Sequence, residues 1–228
     1  MGVPRKGIVS RASPRSTGRQ PVELEPGTPA AGARARPAAF LDRDGTLNEA
    51  VPDPISGAPE SPLAPEDVRL LPGAAASVRE LSAAGYLVIC VSNQPAAAKG
   101  KITVEQVLAA HERVLELLAQ EGADIDASRL CLHHPDGVAS ELAGSCRCRK
   151  PEPGMLLDAA RALGIDLASS WMLGDTDSDI SAGRAAGCRT VLLEYPGSAH
   201  KRLGVVQPDL IAADLADGVR QLLDRRPR

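Results

Sequence analysis

Short aliphatic runs alternate with amphipathic stretches along most of this chain. The strand-like runs lie at 38–42, 86–91, 129–132, 171–174, 190–194 and, more weakly, 209–212. Continuous apolar runs of this length are typical of strands buried on both faces of a sheet. Helical spacing fills the intervals, at 74–84, 104–120, 154–163, 177–186 and 213–224. The alternation predicts an α/β fold with a doubly wound, mainly parallel sheet.

The same pattern predicts where chemistry is located. Asp42, Ser92 and Asp175 each come at the end of a strand-like run. Ligands of doubly wound sheets bind beyond the carboxyl ends of the strands, so these three side chains are expected to converge. His111 instead occupies an apolar position of the helix over 104–120, where a single histidine is expected to be a packed core residue.

Residues 1–37 differ from the rest of the chain in composition. They are rich in Pro, Gly, Ser and Ala, and they carry seven Arg or Lys against two Glu. Such a segment lacks the apolar surface to join a core, so it is expected to be a disordered basic tail. A transit peptide or a nucleic-acid-binding arm is the less favoured alternative. The domain is then expected to span residues 38–228.

The remaining composition narrows the class of protein. Aromatic residues make up only 2% of the 228 residues, and the region after the tail is acidic, which argues against nucleic-acid binding. We expect neither a membrane span nor a secretory signal, since suitable apolar runs are absent from the sequence. Five cysteines without an export signal favour a cytoplasmic protein with buried or metal-bound thiols. We expect a monomer.

Two aspartates separated by one residue pose the main chemical question. In "FLDRDGTLN", residues 40–48, Asp42 and Asp44 follow a buried strand directly and precede a glycine. Carboxylates this close require solvent or a cation between them. An Asp-rich turn would also produce such a pattern, so the motif alone does not decide between a turn and a metal site.

Three further motifs decide the question in combination. They are "VSNQ" (91–94), "CRKPEPG" (148–154) and "MLGDTDSDI" (172–180). Each is weak alone, and the last would also suit a helix capped by aspartates. In this order on alternating strands and helices, the four motifs resemble those of the haloacid dehalogenase-like phosphohydrolases, over roughly residues 37–195.

This resemblance implies a magnesium-dependent phosphomonoesterase that forms an aspartyl-phosphate. Asp42 would be the nucleophile, and Asp44 would be the general acid and base. Asp42, the Asp44 carbonyl and Asp175 would bind Mg²⁺, with Asp179 as a further ligand or an outer partner. The residues expected to bind substrate or phosphate are Ser92, Asn93, Gln94, Arg149 and Lys150.

A second metal site is indicated by the cysteines that precede "RKPEPG". Cys131-x-His133 is followed, after twelve residues, by Cys146-x-Cys148. Three thiolates and one imidazole form a closed tetrahedral set that is typical of structural Zn²⁺. His134 remains an alternative to His133. Free thiols in a flexible loop are the less favoured interpretation.

The zinc loop, residues 131–148, and the surrounding motifs narrow the resemblance to the D-glycero-D-manno-heptose 1,7-bisphosphate phosphatases and the related histidinol phosphatases, which are nearly capless. The implied substrate is the heptose bisphosphate, which would lose its 7-phosphate. The alternatives are histidinol phosphate, another small phosphorylated sugar or a nucleic-acid end. A zinc-stabilised binding module with a vestigial site is the non-enzymatic alternative.

The sequence departs from this family where substrate choice is decided. The loop over 51–65 is Pro-rich and lacks the usual Tyr, "SNQPAAAKG" replaces a Ser-Gly-Ile-Ala-Arg-Gly pattern, and Thr176 stands where Lys is frequent. For a second phosphate group we expect Arg149 to be the main ligand, because its planar fork matches phosphate. Arg147, Lys99 and Lys101 supply further positive charge nearby.

Overall fold

Residues 22–24, 35–53 and 57–225 are described by a computed structural model. The strands are β1 (Val22–Leu24), β2 (Ala38–Leu41), β3 (Val51–Pro52), β4 (Pro59–Glu60), β5 (Leu87–Asn93), β6 (Ala127–Cys131), β7 (Trp171–Gly174), β8 (Arg189–Leu193) and β9 (Leu210–Ala212). The helices are α1 (Ala74–Ala83), α2 (Val104–Gln120), α3 (Gly154–Leu163), α4 (Asp177–Ala186) and α5 (Leu215–Asp224). All six predicted strands and five predicted helices are present, with ends shifted by at most two residues.

The main sheet has seven strands in the order β1-β6-β5-β2-β7-β8-β9. Each neighbouring pair from β6 through β5, β2, β7 and β8 to β9 is parallel, whereas β1 is antiparallel to β6. The central strand β2 is completely buried, which explains its unbroken apolar sequence. The expected doubly wound α/β fold is therefore confirmed.

Helices cover both faces of the sheet because successive strand residues point to opposite sides. Ala39 and Leu41 of β2 belong to a core shared with α1, α2 and α5. Ala38 and Phe40 belong to a second core shared with α3 and α4. With one Phe, one Trp and two Tyr in the whole chain, both cores are built mainly from aliphatic side chains. His111 is fully buried in α2, and within the described residues neither ring nitrogen has a hydrogen-bond partner.

The tail expected to be disordered contributes a strand. Val22 pairs with Leu130 and Leu24 pairs with Ser128, so that β1 covers the open edge of β6. The expectation of disorder therefore fails for these three residues, and also for Arg36, whose amide donates to the Gly164 carbonyl at 3.2 Å. Two apolar residues flanking one glutamate form a period-two pattern, but it is too short to stand out in a Pro- and Gly-rich segment. Residues 1–21 and 25–34, which the same expectation covered, lie outside the described residues.

A small hairpin outside the main sheet projects from the segment after the first motif. Strand β3 pairs with β4, and the Gly57 amide donates to the Asp53 carbonyl at 2.8 Å. We call residues 51–53 and 57–61 the flap. None of the described helices combines the length and apolarity needed to span a membrane.

Candidate active site and zinc loop

A cavity of about 530 Å³ lies at the carboxyl edge of β2, β5 and β7. The walls come from six segments: the turn after β2, the flap, the segment after β5, the start of the "CRKPEPG" motif, the segment after β7 and the segment after β8. The lining side chains that bear on function are Asp42, Asp44, Ser61, Ser92, Asn93, Lys99, Arg149, Lys150, Asp175, His200 and Lys201. The convergence predicted from three strand ends is thus present.

The catalytic turn, residues 42–48, is tightly wound. The Arg43 carbonyl accepts from the amides of Leu47 and Asn48, at 2.8 and 3.0 Å. Gly45 has φ +85°, and a Cβ at this position would lie 2.2 Å from Oδ2 of Asp175. Glycine is therefore required here both by the backbone conformation and by the close approach of the Asp175 carboxylate.

Lys150 connects two of the carboxylates. The Nζ atom lies 2.8 Å from Oδ1 of Asp42 and 2.6 Å from Oδ1 of Asp179, and it donates to the Val91 carbonyl at 2.8 Å. Burial opposes a charge on Lys150, but Asp179 and Asp42 outweigh burial and raise its pKa. Burial also raises the pKa of Asp42, to about 6, although the charge of Lys150 acts in the opposite direction.

Asp44 is held by four side chains. Arg43 donates to it from Nε at 3.1 Å and Nη2 at 3.0 Å, Asn48 donates at 2.9 Å, Ser61 at 2.8 Å and Gln94 at 2.6 Å. Burial alone would raise the pKa of Asp44, but the positive charge of Arg43 and these hydrogen bonds lower it. The carboxylate is therefore stabilised in its ionised form.

Asp175 provides evidence for a cation site. Its Oδ1 is buried and has no hydrogen-bond partner among the described residues. Burial raises the pKa of Asp175 to about 8, with the charges of Asp42 and Asp179 acting in the same direction. Carboxylate oxygens of these three residues lie within 4.8 Å of one another. An orphaned carboxylate oxygen in such a set fits Mg²⁺, which binds oxygen ligands.

Asp179 differs from the other two carboxylates because it faces inward. It is completely buried, and its Oδ2 accepts from the amide and hydroxyl of Thr176 at 3.0 and 2.6 Å. These bonds form the capping box of α4. With Lys150 on its other oxygen, Asp179 belongs to the set of close carboxylates but is not among the residues that line the cavity.

The "VSNQ" side chains separate into two groups. Ser92 and Asn93 line the cavity, and Asn93 also fixes Lys150, since its amide donates to the Lys150 carbonyl and its oxygen accepts from the Lys150 amide. Gln94 is nearly fully buried and donates to Asp44 and Ser92. Gln94, expected to bind phosphate, therefore lies behind Asp44, outside the cavity lining.

The four predicted zinc ligands meet at one point. The Sγ atoms of Cys131, Cys146 and Cys148 lie 3.3 to 3.6 Å apart, and Nδ1 of His133 lies 3.4 Å from Sγ of Cys148. Thiolates and imidazole at these separations fit a closed Zn²⁺ site. His134 points elsewhere and accepts from the Asp136 amide at 3.1 Å, so the structure favours His133.

Two of the cations expected near a second phosphate are engaged elsewhere. Arg147 pairs with Asp158 at 3.1 Å, and Lys101 pairs with Asp53 at 2.7 Å and with Glu60 at 2.6 Å. Arg149 and Lys99 line the cavity as expected. Arg149 also donates to the His133 carbonyl at 3.2 Å, which connects it to the zinc loop.

The segment 195–203 also reaches the site, and sequence reasoning missed it. Ser198 donates from Oγ to the Asp175 carbonyl at 3.0 Å, and Arg202 donates to the Tyr195 carbonyl at 2.7 Å. These bonds hold His200 and Lys201 at the cavity. No periodicity marks such a short 3₁₀ segment, so the sequence offered no signal for it.

Comparisons with known proteins agree with this geometry. A family model described as HAD-hydrolase-like matches residues 147–218. A D-glycero-beta-D-manno-heptose-1,7-bisphosphate 7-phosphatase of Rhodopseudomonas palustris is 42% identical over 157 residues, which cover 69% of this chain and 83% of that protein. A D-glycero-D-manno-heptose-1,7-bisphosphate 7-phosphatase of Thermosynechococcus vestitus is 41% identical, with 81% and 94% covered.

A solved structure extends the likeness to three dimensions. The D,D-heptose 1,7-bisphosphate phosphatase of B. bronchiseptica, complexed with magnesium and phosphate, matches with a TM-score of 0.69 and 30% identity. The alignment covers 83% of this chain and 99% of that one. The resemblance inferred from the motifs is confirmed by these relatives.

Proposed function

Because the chain belongs to the D-glycero-D-manno-heptose 1,7-bisphosphate 7-phosphatase family of haloacid dehalogenase-like hydrolases, we propose that it removes the 7-phosphate of this bisphosphate. The observation that carries the proposal is one cavity that contains two carboxylates, a buried lysine and an orphaned carboxylate oxygen. A turn of aspartates with no catalytic role would not need the lysine beneath it.

Asp42 is the nucleophile in this proposal. Its carboxylate attacks phosphorus, forms an aspartyl-phosphate and breaks the bond to the sugar oxygen, which takes a proton from Asp44. Asp44 is ionised in the free site, so it must bind this proton from solvent before the sugar oxygen leaves. In the second step Asp44 takes a proton from water, whose oxygen attacks phosphorus and releases phosphate and free Asp42. Lys150 supports both steps by fixing the Asp42 carboxylate, and it offers positive charge beside the phosphoryl oxygens.

Magnesium would be held by Asp42, the Asp44 carbonyl and Asp175. It supplies neutralising charge at the phosphoryl group, which otherwise repels an anionic nucleophile. Ser92 and Asn93 are assigned to the phosphoryl oxygens because both line the cavity beside Asp42. Zinc would be held by the four loop ligands, which leave no position for substrate, and it would serve to hold the loop beside Arg149.

The second phosphate of the substrate is assigned to the cationic side of the cavity. Arg149, Lys99 and Lys201 line it, with His200 beside them, whereas Glu60, an acidic residue of the flap, pairs with Lys101. Arg149 remains the main candidate because its guanidinium can bind phosphate with two parallel bonds. Histidinol phosphate would instead bring an ammonium group towards these cations, which disfavours that alternative.

The decisive experiment compares kcat/KM for heptose 1,7-bisphosphate, fructose 1,6-bisphosphate and histidinol phosphate at equal Mg²⁺. We expect the heptose bisphosphate to be preferred, and Arg149→Ala to lower kcat/KM for bisphosphates more than for histidinol phosphate. A tenfold preference for histidinol phosphate would refute the substrate assignment. Absence of turnover with every substrate would refute the enzymatic function itself.

We further propose that the enzyme works in the cytoplasm as a monomer, without a nucleic-acid or membrane partner. The five cysteines all lie in the described residues and form no disulfide bond, which suits a reducing compartment. Size-exclusion chromatography with light scattering tests the oligomeric state, and a mass corresponding to a dimer would contradict it.

A further inference from the structure

The flap touches the proposed general acid directly. Ser61 follows β4 at the base of the flap and donates from Oγ to Oδ2 of Asp44 at 2.8 Å. Ala58, Pro59, Glu60 and Ser61 all line the cavity, so this part of the flap faces the space that the substrate would fill. The hydrogen bond therefore joins a catalytic side chain to the cavity wall.

Ser61 belongs to a different segment of the chain from the other side chains that donate to Asp44. Arg43 and Asn48 belong to the catalytic turn, and Gln94 follows β5; all three are buried beneath the cavity. Among the described donors, Ser61 is the one that reaches Asp44 from the flap. Its position relative to Asp44 consequently depends on where the flap lies.

The flap is fastened to the segment after β5 by one lysine. Lys101 pairs with Asp53, which directly follows β3, and with Glu60, which belongs to β4. The same segment accepts backbone hydrogen bonds from the zinc loop, since the Ala98 carbonyl receives the amides of Val138 and Ala139 at 2.8 and 3.1 Å. Flap, segment and zinc loop thus form a connected wall.

We propose that Ser61 is a positioning residue that orients the Asp44 carboxylate towards the leaving oxygen when the flap is fastened by Lys101. The terminal torsion of aspartate is broad and only weakly restricted by intrinsic preference. A general acid must nevertheless lie within hydrogen-bond distance of the oxygen that it protonates. Ser61 lies on the side of Asp44 that faces the cavity, where the substrate would bind. Its hydrogen bond restricts the terminal torsion of Asp44. The inference rests on the proposed role of Asp44.

The test exploits the need of the leaving group for a proton. A sugar alkoxide needs protonation as it departs, whereas 4-nitrophenolate departs readily without it. For Ser61→Ala we expect kcat to fall about tenfold with heptose bisphosphate, roughly the effect of one hydrogen bond to a charged group. KM should stay within about twofold, and kcat/KM for 4-nitrophenyl phosphate, which covers only the steps up to release of the leaving group, should also stay within about twofold.

Three further variants separate positioning from a structural effect. Ser61→Thr keeps the hydroxyl and should restore the rate with the sugar. Ser82→Ala, an exposed serine of α1, is the matched control and should behave as the parent protein. Lys101→Met should also lower the rate with heptose bisphosphate more than the rate with 4-nitrophenyl phosphate. Combining it with Ser61→Ala should add little, because both changes disrupt the same interaction between the flap and Asp44. Equal losses on both substrates in Ser61→Ala, or no loss, would overturn the inference.

Asp44→Asn distinguishes failure of the inference from failure of the proposed function. Because Asp44 also activates water in the second step, which both substrates share, the comparison uses kcat/KM, which covers only the steps up to release of the leaving group. A loss of kcat/KM confined to the sugar substrate would support the role of Asp44 as the acid. If that loss is seen while Ser61→Ala affects both substrates equally, the flap inference alone is wrong. If Asp44→Asn lowers kcat/KM equally for both substrates, the proposed acid role is wrong, and the inference falls with it.

Discussion

Replacing Lys150 by methionine should expose the electrostatic balance of the site. The two side chains have similar length, so the substitution removes the charge with little change in packing volume. In the native protein the Lys150 side chain is 2% exposed and lies between Asp42 and the fully buried Asp179. The variant would leave two buried carboxylates facing each other without a cation.

The expected cost follows from that burial. Removing one partner of a buried ion pair destabilises proteins by about 3–5 kcal/mol, because the remaining charge is left uncompensated. Protonation of a carboxylate would relieve part of this cost, since burial already raises the pKa of Asp42 to about 6. We therefore expect a loss of about 3–5 kcal/mol at neutral pH in EDTA. Adding Asp179→Asn should recover part of that loss.

Urea unfolding followed by fluorescence of Trp171, the single tryptophan, measures this difference. Trp171 is buried in β7, so its emission should report loss of the core. Lys99→Met is the matched control, since Lys99 is exposed at the same cavity and should not change stability. A loss below about 1 kcal/mol in Lys150→Met would refute the idea that this lysine compensates buried charge.

Three other substitutions test the nucleophile, the zinc loop and the buried histidine. Asp42→Asn is nearly isosteric and should lower kcat by at least about a thousandfold with a native circular-dichroism spectrum; near-native turnover would disprove the nucleophile. Cys148→Ser should release one zinc equivalent, measured by elemental analysis, and lower activity through Arg149; zinc-free but active parent protein would disprove the site. Burial lowers the pKa of His111 to about 3 from 6.5, so below pH 6.5 the unfolded chain binds a proton that the folded chain does not. Stability should therefore fall by about 2 kcal/mol between pH 7.5 and pH 5, and His111→Leu should lose that part of the slope.

The sequence predicted those features that depend on continuous patterns. β2, β5 and β7 are buried on both faces, so their aliphatic runs were unambiguous, and their ends placed Asp42, Ser92 and Asp175 at one edge. The zinc ligands were also predictable, because both pairs have close spacing and thiols are rare in this chain. In each case a pattern within a few neighbouring residues is enough to predict the structure.

Features that depend on loop conformation were not predictable. Ser61 lies in a Pro-rich stretch without periodicity, and its contact with Asp44 requires the hairpin to fold back over the cavity. Gln94 follows Asn93 directly, yet only the local turn decides that one faces the cavity and the other faces Asp44. Lys101 looked like a free cation because its acidic partners are more than 40 residues away along the chain.

Strand β1 has a consequence for how the protein should be handled. It occupies the border of the sheet where β6 would otherwise present unpaired amides and carbonyls, and such borders recruit strands from other molecules. Trimming the amino-terminal segment to obtain a smaller protein would uncover this border next to Cys131, where the zinc loop starts. A shortened chain is therefore expected to self-associate on concentration, although its catalytic residues are all retained.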